Sequence, residues 1–136
     1  MLIYSNIKKN KLLGIVYRYK TISKKRRDIS PINEYLQISS KKYKKNDTIK
    51  PHIHLKNKRT TFSTQEAWLV FKGRLSVNIF DTNKIKIKNL ILNKGDIYVL
   101  FSGGHSFKVL SNNTEFYEIK NGPYQKNIKD VEYLKN

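Results

Sequence analysis

The three histidines are the residues of this chain with the most evident chemistry. His52 and His54 stand in Pro51-His52-Ile53-His54, and His105 follows two glycines. Side chains two positions apart point to the same side of a strand, whereas a helix would separate them. The sequence therefore predicts an extended histidine strand over 49–55. Its two neutral imidazoles could share one ion of zinc, copper, iron or nickel.

A carboxylate that could complete such a site is Glu66, twelve residues after His54 and seven before Gly73. The residues that follow it, 67–71, are apolar at every position, which is typical of a strand buried on both faces. In a strand, Glu66 and Trp68 share one face, and His105 and Phe107 share a face of another strand. Each candidate ligand is therefore expected to have an aromatic neighbour.

The rest of the chain reads as short strands separated by turn signals. Strict alternation over 74–80 and 105–110 and an apolar run at 97–101 predict strands, and a last strand is expected at 115–120. Further strands are expected at 11–18, 34–43 and 85–92, with turns at 81–84 and 93–96. About nine short strands and no convincing helix predict an all-β antiparallel sandwich or barrel.

These residues resemble the two motifs of the cupin superfamily. The first motif, His-x-His followed by Glu and then Gly, corresponds to His52, His54, Glu66 and Gly73. The second, which opens with Gly-Asp and closes with His, corresponds to Gly95, Asp96 and His105. The longer gap from His54 to Glu66 and the replacement of the usual Pro and Gly by 101–104 are departures.

The resemblance covers about 34–124 and implies a cupin-type antiparallel β-barrel, that is, a double-stranded β-helix or jelly roll. It further implies that His52, His54, Glu66 and His105 bind one divalent metal ion: zinc, iron, nickel or manganese. The Gly-Gly-His, Thr-Gln-Glu and Gly-Pro-Tyr sequences also resemble small single-domain cupins encoded among sugar and surface-polysaccharide genes.

This resemblance implies a metal-dependent enzyme acting on a sugar, a sugar nucleotide or an organic acid, as an isomerase or epimerase, an oxygenase or a lyase. A metal-dependent module that binds a small ligand without turnover is the alternative. We expect the ligand pocket to be lined by Trp68, Tyr98 and Phe107, with Arg59 at its mouth. Core packing is the alternative role for Trp68 and Tyr98, and a solvated loop charge is that for Arg59.

Length and composition set the domain organisation. The 136 residues suffice for one domain, with an N-terminal strand and basic connection at 1–33, the barrel at 34–124 and a polar tail at 125–136. The absence of cysteine leaves only nitrogen and oxygen ligands for a metal. Without an apolar run of membrane-spanning length or a signal peptide, a soluble cytoplasmic protein is expected.

The outward side chains of the predicted strand at 67–71 are Ala67, Leu69 and Phe71. Because they are apolar, either the N-terminal strands or a partner chain must cover them. A homodimer is therefore expected.

The net charge of +18 raises the possibility of a nucleic-acid partner. However, 23 of the 28 basic residues are lysines and only 5 are arginines, whereas base-reading surfaces depend on arginine. The lysines are also dispersed and mixed with many Asn and Ile residues, a composition typical of AT-rich coding sequence. The sequence therefore favours a small-molecule ligand over a nucleic acid.

Overall fold

In the computed structural model, which describes residues 1–22, 25–123 and 131–134, the chain forms short β-strands and a single 3-10 turn at Tyr19–Thr21. The strands are β1 (Leu2–Tyr4), β2 (Leu12–Tyr17), β3 (Arg26–Asp28), β4 (Ser39–Lys41), β5 (Glu66–Lys72), β6 (Arg74–Phe80), β7 (Lys86–Asn93), β8 (Ile97–Leu100), β9 (Gly104–Val109) and β10 (Glu115–Lys120). The prediction of an all-β protein is confirmed.

The strands form three antiparallel sheets. A large sheet has the order β1-β2-β8-β5-β10, a small sheet has the order β7-β6-β9, and β3 pairs with β4 alone. None of the three closes on itself. Because β5 and β10 belong to the large sheet and β9 to the small sheet, a site formed by all three must bridge the two sheets.

One hydrophobic core is shared by the large and small sheets. The alternating residues of β6, which are Leu75, Val77 and Ile79, are fully buried there. Trp68 and Val70 of β5 enter the same core from the large sheet. The same alternation in β5 places Glu66, two residues before Trp68, on the core-facing side of that strand.

The outer face of the large sheet is partly covered by the chain itself. Ala67 belongs to a second buried cluster, against which Ile29, Leu36 and Ile38 pack. The predicted need for a cover at Ala67 is thus met within the chain. Phe71 remains 41% exposed and lies edge-on to the ring of Tyr117, 4.4 Å between centroids. The homodimer stays a prediction.

Several predicted boundaries are wrong. The expected strand at 34–43 is reduced to β4, and β1 and β3 were not expected. The predicted histidine strand at 49–55 is also absent, because this segment pairs with no neighbour among the described residues. Its apolar side chains are exposed, including Ile53 at 84%, so neither hydrogen bonding nor burial holds it extended.

The predicted polar tail at 125–136 lies largely outside the described residues. Within the described part, Glu132 forms an exposed ion pair with Lys84, 2.6 Å between Oε1 and Nζ. No helix among the described residues has the length and hydrophobicity to cross a membrane.

The turn between β7 and β8 depends on a buried carboxylate, that of Asp96. Its Oδ2 accepts hydrogen bonds from Arg18 Nη1 at 2.5 Å and the Asn93 amide at 3.0 Å, and its Oδ1 accepts one from the Tyr19 amide at 3.2 Å. The Asp96 side chain is only 7% exposed. Asp96, expected only as a turn residue, thus also ties the end of β2 to this hairpin.

We expect Asp96→Ala to lower the free energy of unfolding by about 3 kcal/mol, because three buried or half-buried donors lose their acceptor. Chemical denaturation monitored by circular dichroism would measure the change. The matched control is Glu115→Ala, which removes a carboxylate from an exposed pair with Lys72 and should change stability by less than about 1 kcal/mol. Equal effects of the two substitutions would contradict the assigned role of Asp96.

Candidate functional site

Glu66 and His105 face each other between the two sheets. His105 Nε2 lies 3.4 Å from Glu66 Oε2, and the side chains are 27% and 14% exposed. Glu66 is the first residue of β5, and His105 is the second residue of β9. Two of the four metal ligands expected from the sequence are therefore adjacent.

The chain reaches this arrangement through the glycine turn between β8 and β9. Gly103 has a φ of +86°, and a Cβ atom at this position would collide with the carbonyl oxygen of Phe80. Only glycine adopts this conformation readily. The turn moves the chain from the large sheet to the small sheet, where His105 pairs with Ile79.

Trp68 forms the floor of the site. Its ring stacks on Tyr98 with 5.5 Å between centroids and lies edge-on to His105 at 4.3 Å. Its indole Nε1 donates a hydrogen bond to Glu118 Oε2 at 3.2 Å. Trp68 is only 1% exposed, so it combines the two roles left open by the sequence, core packing and contact with the site.

The other two predicted pocket residues differ in burial. Tyr98 is fully buried, and burial raises the pKa of its phenol. Phe107 is 44% exposed, with its ring centroid 6.3 Å from that of Trp68 and 5.4 Å from that of Phe116. Phe107 is therefore the one of the pair whose surface is open to a ligand.

Two further residues of the site, Glu118 and Lys120, were not expected. Lys120 Nζ lies 2.9 Å from Glu118 Oε1 and 3.7 Å from Glu66 Oε1. In the pairing of β10 with β5, Lys120 is opposite Glu66 and Glu118 is opposite Trp68. The alternation of β10 could have indicated that 116, 118 and 120 share a face, but not that this face meets Glu66. We call Glu66, Trp68, His105, Glu118 and Lys120 the inter-sheet cluster.

Burial and neighbouring charges shift the titration of this cluster. Burial, reinforced by Glu118, raises the pKa of Glu66 against the opposing effect of Lys120. Burial also lowers the pKa of His105 below 6.5, although Glu118 opposes this. The hydrogen bond from Lys120 is the main reason that the pKa of Glu118 is lowered, while burial opposes it. His105 is thus neutral near pH 7, the form in which an imidazole can accept a proton or bind a metal.

Three buried side-chain atoms lack a hydrogen-bond partner among the described residues, and all three belong to this region. They are Glu66 Oε2, His105 Nδ1 and the hydroxyl oxygen of Tyr98. Buried polar atoms are normally paired, because an unpaired one destabilises the fold by about 1–3 kcal/mol. This concentration makes the region around Glu66, Tyr98 and His105 the candidate functional site.

The remaining predicted residues lie on the exposed segment that precedes β5. His52, His54 and Arg59 are all exposed there. The rings of His52 and His54 have centroids 5.2 Å apart, and His52 Nδ1 lies 2.9 Å from the carbonyl oxygen of Lys50. Within the described part of the chain, no three His, Asp or Glu side chains stand close enough to hold a metal.

Comparison with family models, with curated proteins and with solved structures finds no match to this chain. The inter-sheet cluster and the motif residues are therefore the features of the chain that bear on its function.

The shifted pKa values predict that Glu66 and His105 make the stability of the fold depend on pH in opposite directions. Because the folded protein holds the Glu66 proton more tightly than the unfolded chain, this residue lowers stability as pH rises above about 4.5. Because folded His105 binds its proton less tightly, it lowers stability as pH falls below 6.5. In metal-free buffer, Glu66→Gln should therefore raise the free energy of unfolding at pH 7 by about 1 kcal/mol, and the gain should shrink toward pH 4.

Thermal melting between pH 4 and pH 8 would test the predicted direction of the pH dependence for each residue. His105→Gln should flatten the loss of stability between pH 7 and pH 5, whereas Glu115→Gln, at an exposed position, should leave both slopes unchanged. A Glu66→Gln protein less stable than the wild type at pH 7 would contradict the assignment of Glu66 as a destabilised carboxylate.

Proposed function

We propose that this chain is a metal-dependent protein of the cupin type, in which Glu66 and His105 join His52 and His54 in binding one divalent ion. The observation that carries the proposal is the Glu66–His105 pair, in which Glu66 Oε2, the oxygen next to His105 Nε2, is buried and has no hydrogen-bond partner among the described residues. A carboxylate oxygen and a neutral imidazole nitrogen are suitable ligands for zinc, iron, nickel or manganese.

The separation of the two donor atoms supports this proposal. Ligands about 2.1 Å from one ion in a tetrahedral arrangement lie about 3.4 Å apart. The distance between His105 Nε2 and Glu66 Oε2 is 3.4 Å. The pair thus has the spacing of two ligands before any rearrangement.

The exposed histidines are suited to complete the ligand set. The contact of His52 Nδ1 with the Lys50 carbonyl oxygen favours the tautomer with a proton on Nδ1, which leaves Nε2 with a lone pair for a metal. His54 is close to His52, and these two and His105 are the three histidines of the chain. Binding of all four ligands requires the segment around 49–55 to approach the inter-sheet cluster.

The arrangement of the sheets is compatible with a jelly-roll barrel, the finer fold that belongs to this proposal. Among the described strands, β9 pairs only with β6 and β10 only with β5. Two of the three strands that contribute to the inter-sheet cluster, β9 and β10, are therefore edge strands in the part of the chain that the structure describes, and each has an outer edge beside the site. The histidine segment could add to such an edge.

The function that we infer is an enzymatic reaction on a small polar substrate. A bound ion would polarise a substrate oxygen as a Lewis acid. Glu118 supplies a carboxylate outside the proposed ligand set, held by Trp68 and Lys120, that can accept a proton from a substrate. This second carboxylate favours turnover over simple binding.

Cobalt titration of the metal-free protein tests the metal site. We expect one equivalent of Co²⁺ to bind with visible absorption typical of nitrogen and oxygen ligands. Substituting Ala for any one of His52, His54, Glu66 or His105 should weaken binding by about 100-fold or more, since loss of even an outer-shell partner weakens metal binding by about 10–100-fold. Glu115→Ala is the matched control and should bind normally. Absence of Co²⁺ binding by the wild type, or unchanged binding after His52→Ala, would refute the proposed ligand set.

Limited trypsin digestion tests whether the histidine segment approaches the cluster. Cleavage sites at Lys56, Lys58 and Arg59 follow the histidines on the exposed segment. One equivalent of Zn²⁺ should slow cleavage there at least about tenfold, because binding shifts the segment away from the open form that the protease recognises. The same addition should not protect His52→Ala. Equal cleavage of the wild type with and without Zn²⁺ would show that the segment does not close on the cluster.

A further inference from the structure

The connection between β4 and β5 leaves large apolar side chains in water. Every residue from 41 to 64 is exposed, and among the described residues no backbone hydrogen bond joins 48–62 to another part of the chain. Four apolar side chains of this connection are between 58% and 87% exposed: Ile49, Ile53, Leu55 and Phe62. Several such side chains on one exposed segment, rather than a single one, indicate a surface that binds a partner.

The same segment is strongly basic. Residues 41–62, which we call the basic segment, contain seven lysines, one arginine and one acidic residue, Asp47, which gives a net charge of +7 with the histidines neutral. The Asp47 carboxylate is already engaged, because it accepts a hydrogen bond from the Lys44 amide at 3.0 Å and lies 3.7 Å from Lys25 Nζ. A partner that covers the apolar side chains must therefore also carry negative charge.

Both ends of the basic segment are fixed to the fold. At one end, Lys25 Nζ lies 5.4 Å from the ring centroid of Tyr43. At the other end, Asn121, which follows β10, donates to the Ser63 carbonyl oxygen at 3.2 Å and accepts a hydrogen bond from the Gln65 amide at 2.6 Å. The segment is therefore a loop closed at its base, from which apolar and basic side chains can contact one partner together.

The residue types favour a lipid surface over a nucleic acid. Proteins read bases with arginine, and they bind single strands by stacking bases on aromatic rings. In the basic segment, seven of the eight cations are lysines, and three of the four apolar side chains named above are aliphatic. Aliphatic side chains gain free energy by entering the acyl boundary of a bilayer, while lysines contact anionic head groups without a fixed geometry.

A second copy of the chain is a less suitable partner for this segment. Each copy has a net charge of +18, so it would bring positive charge to a surface that is already basic, and like charges oppose association. An anionic bilayer attracts the lysines and also accepts the apolar side chains.

We propose that the basic segment binds the surface of membranes that contain anionic lipids. Ile53, Leu55 and Phe62 enter the interface between head groups and acyl chains, and the lysines contact the head groups. The protein lies on the membrane without crossing it. This interaction does not require the proposed metal site, so it is tested in the presence of a chelator.

Co-sedimentation of the full chain with lipid vesicles in EDTA tests the proposal. The wild type should bind phosphatidylcholine vesicles that contain about one third phosphatidylserine, and it should bind pure phosphatidylcholine at least about tenfold more weakly. The double substitution Ile53→Ser with Leu55→Ser should weaken binding to the anionic vesicles at least about tenfold, because these side chains no longer gain free energy by leaving water. The matched control, Ile85→Ser with Ile91→Ser, changes two aliphatic side chains that are 62% and 42% exposed and should bind like the wild type.

A second pair of variants tests whether the charge acts locally. Lys56→Gln with Lys58→Gln should weaken binding to the anionic vesicles by about tenfold or more. Lys86→Gln with Lys88→Gln lowers the net charge equally at exposed positions of β7 and should weaken binding clearly less. Equal losses would show that the overall charge, and not the basic segment, attracts the vesicles, and this would refute the proposal.

Three other results would also overturn it. The first is a wild-type protein that does not bind the anionic vesicles. The second is unchanged binding after Ile53→Ser with Leu55→Ser, which would show a purely electrostatic contact. The third is tighter binding of a single-stranded RNA oligonucleotide than of the vesicles at physiological salt, with the same loss in that variant, which would identify a nucleic acid as the partner. If circular dichroism shows that the variant does not fold, Ile53→Thr with Leu55→Thr replaces it in the same comparison.

Discussion

The position of the Trp68 indole is the constraint on which both the core and the candidate site depend. One side chain on β5 stacks on Tyr98 of β8, contacts His105 of β9 and donates its only hydrogen bond to Glu118 of β10. It therefore joins three strands from two sheets. Because the ring is buried and its N–H is paired, it cannot shift without opening the core or leaving a buried donor unpaired.

This constraint explains why an ionisable pair is tolerated at the end of a hydrophobic core. Glu66 occupies the next core-facing position of β5 beyond Trp68, and His105 is held against the indole. Burial of both makes the charged form of each less favourable. Apolar residues here would stabilise the fold more, so the buried polar atoms that lack a hydrogen-bond partner among the described residues single out this place as the candidate site.

The strands that could be predicted from the sequence are those with regular alternation and two-sided burial. The limits of β6 and β10 agree with the predicted 74–80 and 115–120. Local pattern could not predict β1, because its three residues are held by pairing with β2 and by the terminal amino group, which donates to the Val16 carbonyl oxygen at 2.7 Å. The prediction of a strand over 49–55 was wrong for the opposite reason. This segment has the local pattern of a strand but no pairing partner among the described residues.

For the site, strand phase indicated which residues share a face with Glu66 and His105, but it could not indicate which faces meet. The contact between Lys120 and Glu66 joins residues 54 positions apart through the register of β10 on β5. A single sequence contains no signal for that register, so Glu118 and Lys120 were missed although their strand was recognised. Arg59 was preferred as the cation only because its loop joins two candidate ligands in sequence.

The overall positive charge of the protein affects the electrostatic environment of the two carboxylates in the inter-sheet cluster. A net charge of +18 creates a potential that attracts small anions and repels metal cations over the distance of a Debye length. Lysines such as Lys86 and Lys88 on the edge strand β7 are exposed, where they contribute to this field and discourage pairing with other chains. Against this field, Glu66 and Glu118 supply local negative charge beside the half-buried imidazole of His105.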